Sequence, residues 1–235
     1  MVGLSLEFAM MKGDYLFMNL KVAFIQKQAY EKISLHQIFG CLKKLDVQYN
    51  VFIEELEIDF YKTVIQYRPN LICYSLFISE ELYMLSYFRR LKAALPNAKT
   101  VVGGPFTLIF PEIVKNKQVD FVLRGDGENS FPQFLELYRS NKSLENVDGI
   151  CFVKNDGVIY KNNNIKIISE LKNLPSPERD TYYKYENLKK NETKIFTASR
   201  GCPYNCSYCY NSELKKFFNS PYWRLKDMES IFEEI

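Results

Sequence analysis

One histidine, His36, and one tryptophan stand in 235 residues. Any histidine-based metal or acid–base site would have to use that one imidazole. Excess charge is also missing: 31 Lys and Arg against 28 Asp and Glu leave a net +3. No block of like charge stands out. Of the basic residues, 23 are Lys, the poorer residue for bidentate contacts to phosphates or bases. Bulk electrostatics therefore give no support to nucleic-acid binding. No apolar run approaches the roughly 18 residues of a spanning helix. Glu7, Lys12 and Asp14 break the apolar N-terminal stretch, and no small-residue cleavage site follows it. A cytoplasmic protein with no membrane partner is expected. A GxGxxG fingerprint is absent too: Gln26-Lys27-Gln28-Ala29-Tyr30, after the first apolar run, holds no glycine.

What is present is globular composition, 47% hydrophobic and 25% charged, in a length suited to one large domain or two small ones. Short apolar runs at residues 20–26, 47–53, 71–76, 98–102 and 119–123 read as buried strands. Between them, residues 34–45, 56–67, 80–95 and 107–116 carry helical spacing, and a further helix follows at 130–138. Arg68-Pro69-Asn70 and Pro96-Asn97 close two of these helices. Strands alternating with helices predict an α/β fold with a doubly wound parallel five-stranded sheet, of the flavodoxin or Rossmann kind. Ligands of such sheets sit outside the carboxyl ends of the strands. Gly103-Gly104 and the turn Arg124-Gly125-Asp126-Gly127-Glu128 fall there. Farther on, residues 149–160 read as a hairpin around Asp156-Gly157, residues 171–180 as an irregular linker, and Lys194 to Ser199 as a new strand.

Cys41, Cys73 and Cys151 are scattered among apolar residues and read as small buried hydrophobes. Cys202, Cys206 and Cys209 are different: they form C-x3-C-x2-C within eight residues. Three thiolates so close together can wrap one soft metal centre. A closed zinc site usually needs a fourth Cys or His, and none is near. The spacing leaves three readings open: a [4Fe-4S] cluster with one free iron, zinc completed by a remote ligand, or uninvolved or redox-paired thiols.

The segment Arg200-Gly201-Cys202-Pro203-Tyr204-Asn205-Cys206-Ser207-Tyr208-Cys209 resembles the signature of the radical S-adenosylmethionine superfamily, CxxxCxxC with an aromatic before the third cysteine. The resemblance implies that Cys202, Cys206 and Cys209 ligate a [4Fe-4S] cluster, that S-adenosylmethionine chelates the open iron, and that Tyr208 packs near its adenine. Upstream, the chain resembles the cobalamin (B12)-binding subgroup of that superfamily, in which a doubly wound domain precedes a (β/α) barrel. The matching pieces are Ser75-Leu76-Phe77, Gly103-Gly104, the turn at 124–128, and Leu174-Pro175-Ser176-Pro177-Glu178-Arg179-Asp180. Ser75, Gly103, Gly104, Arg124 and Gly125 are thereby implied cofactor contacts. Glycine at 103 and 104 would let backbone approach a bulky ligand, and a side chain at 104 is expected to crowd it. Arg124 is read either as such a contact or as a surface partner of Glu128. The family's Asp-x-His-x-x-Gly motif is not matched: its positions hold Gln28, Tyr30 and Ile33, and His36 falls at the wrong spacing. Cobalamin, if held, is expected without histidine ligation.

The implied layout is an N-terminal extension at 1–17 that matches no part of the domain and is expected to pack loosely, a cobalamin-binding-like domain at 18–140, a hairpin and linker at 141–193, and the start of a radical barrel at 194–235, as in a fragment of a longer protein. The implied function is cobalamin-dependent radical methyl transfer to an unactivated carbon. The alternatives are ring closure or sulfur insertion by the same radical, and a non-catalytic cofactor-binding module. A small-molecule or peptide substrate and an electron donor such as flavodoxin or ferredoxin would be its partners. No residue is singled out as catalytic.

Overall fold

The computed structural model describes residues 20–218 and 221–234; the expectation for residues 1–17 lies outside them. β1 (Lys21–Gln26), β2 (Gln48–Ile53), β3 (Leu71–Ser75), β4 (Lys99–Gly103) and β5 (Phe121–Leu123) pair in parallel in the order β2-β1-β3-β4-β5. Alternate residues of each strand feed two separate cores. Val22, Phe24, Leu71, Cys73 and Val101 face one side, and Ala23, Ile25, Ile72, Tyr74 and Val102 face the other. Burial on both faces explains why these runs are apolar throughout. The first face is covered by α1 (Ile33–Leu42) and α5 (Gly127–Arg139), the second by α2 (Phe60–Tyr67) and α3 (Glu81–Ala94). The helix expected at 107–116 is interrupted: α4 (Phe106–Ile109) stops before Pro111, and a 3-10 turn at Pro111–Lys115 follows.

The sheet has seven strands, not five. β6 (Ile150–Val153) adds antiparallel to β5, and β7 (Ile159–Lys161) adds antiparallel to β6. The hairpin is where the Asp156-Gly157 turn predicts it, but it extends the same sheet. An unpaired outer edge on β5 would leave its backbone groups open, and the hairpin covers them.

The linker packs beneath α1. Its short helices α6 (Asp180–Tyr183) and α7 (Glu186–Lys189) bring Tyr182 and Leu188 into the first core. The strand expected at Lys194–Ser199 is reduced to β8 (Ser199–Arg200), which pairs antiparallel with β9 (Arg224–Leu225). Ile195 is 57% exposed, with no neighbouring strand to cover it. α8 (Tyr210–Leu214) and α9 (Met228–Glu234) complete the described chain. No helix among the described residues is long and apolar enough to cross a membrane.

Candidate functional site

In the order β2-β1-β3-β4-β5 the strands following β1 are added first on one side of it and then on the other, and a crevice at such a switch point, between β1 and β3, is the usual ligand site. A cleft of about 400 Å³ opens there. Ser75 ends β3, Gly103 ends β4, and Gly104 and Gly125 follow β4 and β5; all four line the cleft. Phe24, Leu108 and Phe131 make much of it apolar, and Thr197, Ser199 and Arg200 close it from the side of the β8–β9 ribbon. A cleft that is largely apolar, with charged side chains of Asp126, Glu128, Arg200 and Arg224 also lining it, suits a large organic cofactor with polar groups.

The two glycines play different parts. Gly104 has φ +94°, and a Cβ there would stand 2.7 Å from the Leu76 nitrogen and 2.8 Å from its oxygen. Its lack of a side chain is demanded by the neighbouring backbone, beside any room a ligand needs. A Cβ on Gly103 meets nothing closer than the Leu123 oxygen at 3.9 Å. The close approach of backbone to cleft therefore belongs to Gly103.

Arg124 points elsewhere. Its side chain is buried and donates to the Gly149 carbonyl at 3.1 Å, to the Asn162 carbonyl and to Asn163 Oδ1 at 3.4 Å. It fastens the β6–β7 hairpin and does not line the cleft. Glu128 pairs with Arg200 instead.

The loop after β1, where the family's histidine motif would fall, is held firmly. Gln26 Nε2 donates to the carbonyls of Gln28 and Tyr30 at 2.8 and 2.7 Å. The Tyr182 hydroxyl donates to Gln26 Oε1 at 2.7 Å and accepts from the Lys32 backbone nitrogen at 3.2 Å. The Lys32 ammonium is buried, donating to the Ser75 carbonyl at 2.9 Å and to Glu80 at 3.2 Å. Burial lowers its pKa, and Glu80 pulls in the opposite direction. His36 is fully buried on α1, its ring edge-on to Tyr182, and does not line the cleft. Its Nε2 is 3.1 Å from Glu31 Oε2 without hydrogen-bond alignment. Burial, with Arg179 and Lys194 nearby, lowers its pKa to about 3. The imidazole is thus neutral and turned away from the cleft.

Past β8, the cysteine loop is shaped by α8. The Cys209 nitrogen donates to the Cys206 carbonyl at 3.1 Å, and Ser212 Oγ donates to the same carbonyl at 2.8 Å. Lys215 donates to the Tyr204 carbonyl and to Asn205 Oδ1 at 2.8 Å. Cys206 is exposed, and Cys202 and Cys209 are half-buried. As donors they fit a three-thiolate cluster. Among the described residues no three Cys, His, Asp or Glu side chains are gathered into a metal-holding group. Tyr208 is 91% exposed and does not line the cleft. Cys73 and Cys151 are buried, as small hydrophobes should be, and Cys41 is half-buried, its thiol pushed up to about 11 by burial and then by Glu128.

Several residues that shape the site carry no local signal. Lys32, Glu80, Gln26 and Tyr182 meet across large sequence separations. Asp126 and Glu128 lie inside a noted turn, yet their partners Arg200 and Arg224 are visible only in the fold.

Residues 27–135 match the family model described as "B12 binding domain". The chain is 30% identical over 159 residues to the anaerobic magnesium-protoporphyrin IX monomethyl ester cyclase of Synechocystis sp., covering 62% of this chain and 28% of that protein. It is 25% identical over 199 residues to the hopanoid C-3 methylase of Methylococcus capsulatus, covering 77% and 35%. Its fold matches that of OxsB, a cobalamin-dependent S-adenosylmethionine radical enzyme solved with aqua-cobalamin and S-adenosylmethionine. The TM-score is 0.73 at 15% identity, over 94% of this chain and 32% of that one. The radical S-adenosylmethionine methyltransferase TsrM of Kitasatospora setae, with cobalamin and a [4Fe-4S] cluster bound, matches at TM-score 0.68 and 12% identity, over 92% and 46%. The chain therefore spans about a third of the length of the curated relatives, 28% and 35% for the two above.

Proposed function

We propose, for a chain that carries a B12 binding domain and stands among the cobalamin-binding proteins of the radical S-adenosylmethionine superfamily, that it serves radical methyl transfer to an unactivated carbon. The observation that carries this reading is one juxtaposition. A cleft floored by Gly103 at the carboxyl ends of β3 and β4 is walled by the ribbon that runs directly into Cys202. One pocket thus lies between a B12-type sheet and the ribbon from which the three-thiol loop leaves, with Gly201 and Tyr210 on either side of the thiols lining it.

In this reading residues 18–140 bind cobalamin, residues 141–193 connect, and residues 194–235 begin the radical barrel. Cys202, Cys206 and Cys209 hold a [4Fe-4S] cluster, which leaves one iron open because the chain offers no fourth thiol nearby. When bound, the cluster with S-adenosylmethionine supplies a 5'-deoxyadenosyl radical, and cobalamin supplies the methyl group. The chain's own contribution is positional. Ser75, Gly103 and Gly125 shape the cobalamin cleft, Gly104 keeps the turn that allows it, and Tyr208 is free to cover adenine. Arg124 supports the cleft from behind through the hairpin. With Lys32 tied to Glu80 and His36 turned away, cobalamin is held without a histidine ligand.

Likeness to the cyclase supports a second reading within the same chemistry, in which the radical closes a ring without methyl transfer. Sulfur insertion and a non-catalytic cofactor-binding module are the remaining alternatives. A small-molecule or peptide substrate, a flavodoxin or ferredoxin as electron donor and a cytoplasmic setting belong to the same proposal.

Anaerobic reconstitution with iron and sulfide, followed by hydroxocobalamin and visible spectroscopy, tests the reading. About four irons per chain are expected, as for one [4Fe-4S] cluster. Cys206→Ala should lose them. The cobalt spectrum should show no imidazole nitrogen coupling. Stoichiometric zinc, retained in full by Cys206→Ala, would sink the cluster assignment, and failure of the reconstituted chain to take up cobalamin would sink the cobalamin assignment.

A further inference from the structure

The β8–β9 ribbon is two residues long on each strand, and its register places Arg200 directly opposite Arg224. Two features should make it unstable. Short two-stranded ribbons are marginal in water, and like charges facing across a strand pair repel. Both guanidinium groups nevertheless converge on one place, the turn between β5 and α5. Arg224 Nη1 is 2.6 Å from Asp126 Oδ2, and it also donates to the Ile168 carbonyl at 2.6 Å. Arg200 Nη1 is 3.7 Å from the same Asp126 oxygen, and Arg200 Nη2 pairs with Glu128. Asp126 Oδ2 accepts in addition from the Ile168 nitrogen at 2.9 Å. Arg224 and Glu128 have side chains only 6% and 5% exposed.

We infer that Asp126 and Glu128, with Arg200 and Arg224, form an ionic clamp that positions the cysteine loop over the cleft. The two carboxylates sit between two cations that would otherwise repel, so the ribbon keeps its pairing only while it is docked on the sheet. Arg200 lies two residues before Cys202, and its docking therefore sets where the loop begins. In the Arg-Gly-Asp-Gly-Glu turn the carboxylates, which also line the cleft, act as positioning residues. The clamp stands on geometry alone; its consequence for two cofactors rests on the function proposed above.

Hydrogen exchange on the whole chain tests the clamp without any cofactor. Glu128→Gln should speed exchange in peptides covering residues 197–209 and 221–228 by about tenfold, because it leaves the half-buried Arg200 guanidinium with only the Asp126 oxygen at 3.7 Å. Exchange in β1 and β3 should not change. The paired exchange Glu128→Arg with Arg200→Glu should recover most of the lost protection, since opposite charges then face each other across the ribbon and between positions 128 and 200, while Asp126 keeps its closer partner Arg224. Unchanged exchange in Glu128→Gln would overturn the inference, and so would a paired variant no better protected than the single one.

A second readout uses the reconstituted chain. Spin coupling between cob(II)alamin and the reduced cluster should weaken in Glu128→Gln and return in the paired variant. Coupling that ignores Glu128→Gln would overturn the positioning role. A chain that takes up no cobalamin counts against the proposed function, while the exchange experiment still decides the clamp.

Discussion

His36 and the two cleft glycines show how single residues depart from what their type suggests. The folded imidazole takes a proton only near pH 3, whereas an unfolded one does so near 6.5. Between those values the unfolded chain binds more protons, so stability falls as pH drops below about 6.5. The slope from this one group approaches about 1.4 kcal/mol per pH unit. Between pH 6.5 and 5 most carboxylates remain ionised, so the imidazole can be read there. Urea unfolding at several pH values should show this decline in the native sequence and a flatter profile in His36→Leu; equal slopes in both would refute it. At the glycines, Gly103→Val should leave urea stability nearly unchanged and weaken hydroxocobalamin binding by about tenfold, because the side chain enters the cleft. Gly104→Ala should instead lower stability by about 1–3 kcal/mol, from strain at positive φ and contact with Leu76. If Gly103→Val binds cobalamin as tightly as the native chain, the cleft is not the corrin site.

At the scale of elements, the β6–β7 hairpin is more than an appendage. It completes the sheet edge and is anchored by the buried Arg124 guanidinium. Arg124→Met removes the donors for two backbone carbonyls and Asn163 Oδ1, which should cost about 3 kcal/mol. Exchange should speed up in β6 and β7 and stay slow in β1 and β3. If Arg124 touched the cofactor instead, the same substitution would reduce cobalamin uptake and leave the hairpin protected. The five parallel strands and the hairpin were legible because each carries its own signal: apolar runs of strand length, and Asp-Gly between two short β-rich segments. The strand expected at Lys194–Ser199 was misjudged because propensity describes a residue's preference, while a strand exists only with a partner. Here β9 offers two residues of pairing.

Across the whole molecule, the linker joins the two ends of the site. Tyr182 reaches Gln26 and the Lys32 nitrogen, and Gln37 on α1 donates to the Pro175 carbonyl. Arg179 ties Glu31 after β1 to Glu234 in α9. The irregular Pro-containing stretch is thus packed against the sheet domain along much of its length. Nothing in its composition announced this, since loops and docked linkers use the same residues. Ser75, Gly103 and Gly125 come together as the sequence suggested, because strand carboxyl ends always share one edge of a parallel sheet. Arg124 and Tyr208 do not join them, since a long side chain can leave its turn in any direction that burial and partners favour.

The sequence by itself determined the parallel α/β core, the edge of the sheet where a ligand would sit, the three-thiol loop, and the mismatch of Gln28, Tyr30 and Ile33 to the Asp-x-His-x-x-Gly motif. These follow from short-range rules: strand and helix periodicity, turn chemistry, and ligand spacing. The tertiary structure alone decided that the sheet has seven strands, that a Cβ has room at Gly103 but not at Gly104, that Arg124 serves the hairpin, and that Asp126 and Glu128 receive Arg200 and Arg224. Those outcomes depend on which side chains meet across 25 to 98 residues of chain. Such meetings are set by packing of the whole domain, and no local pattern encodes them.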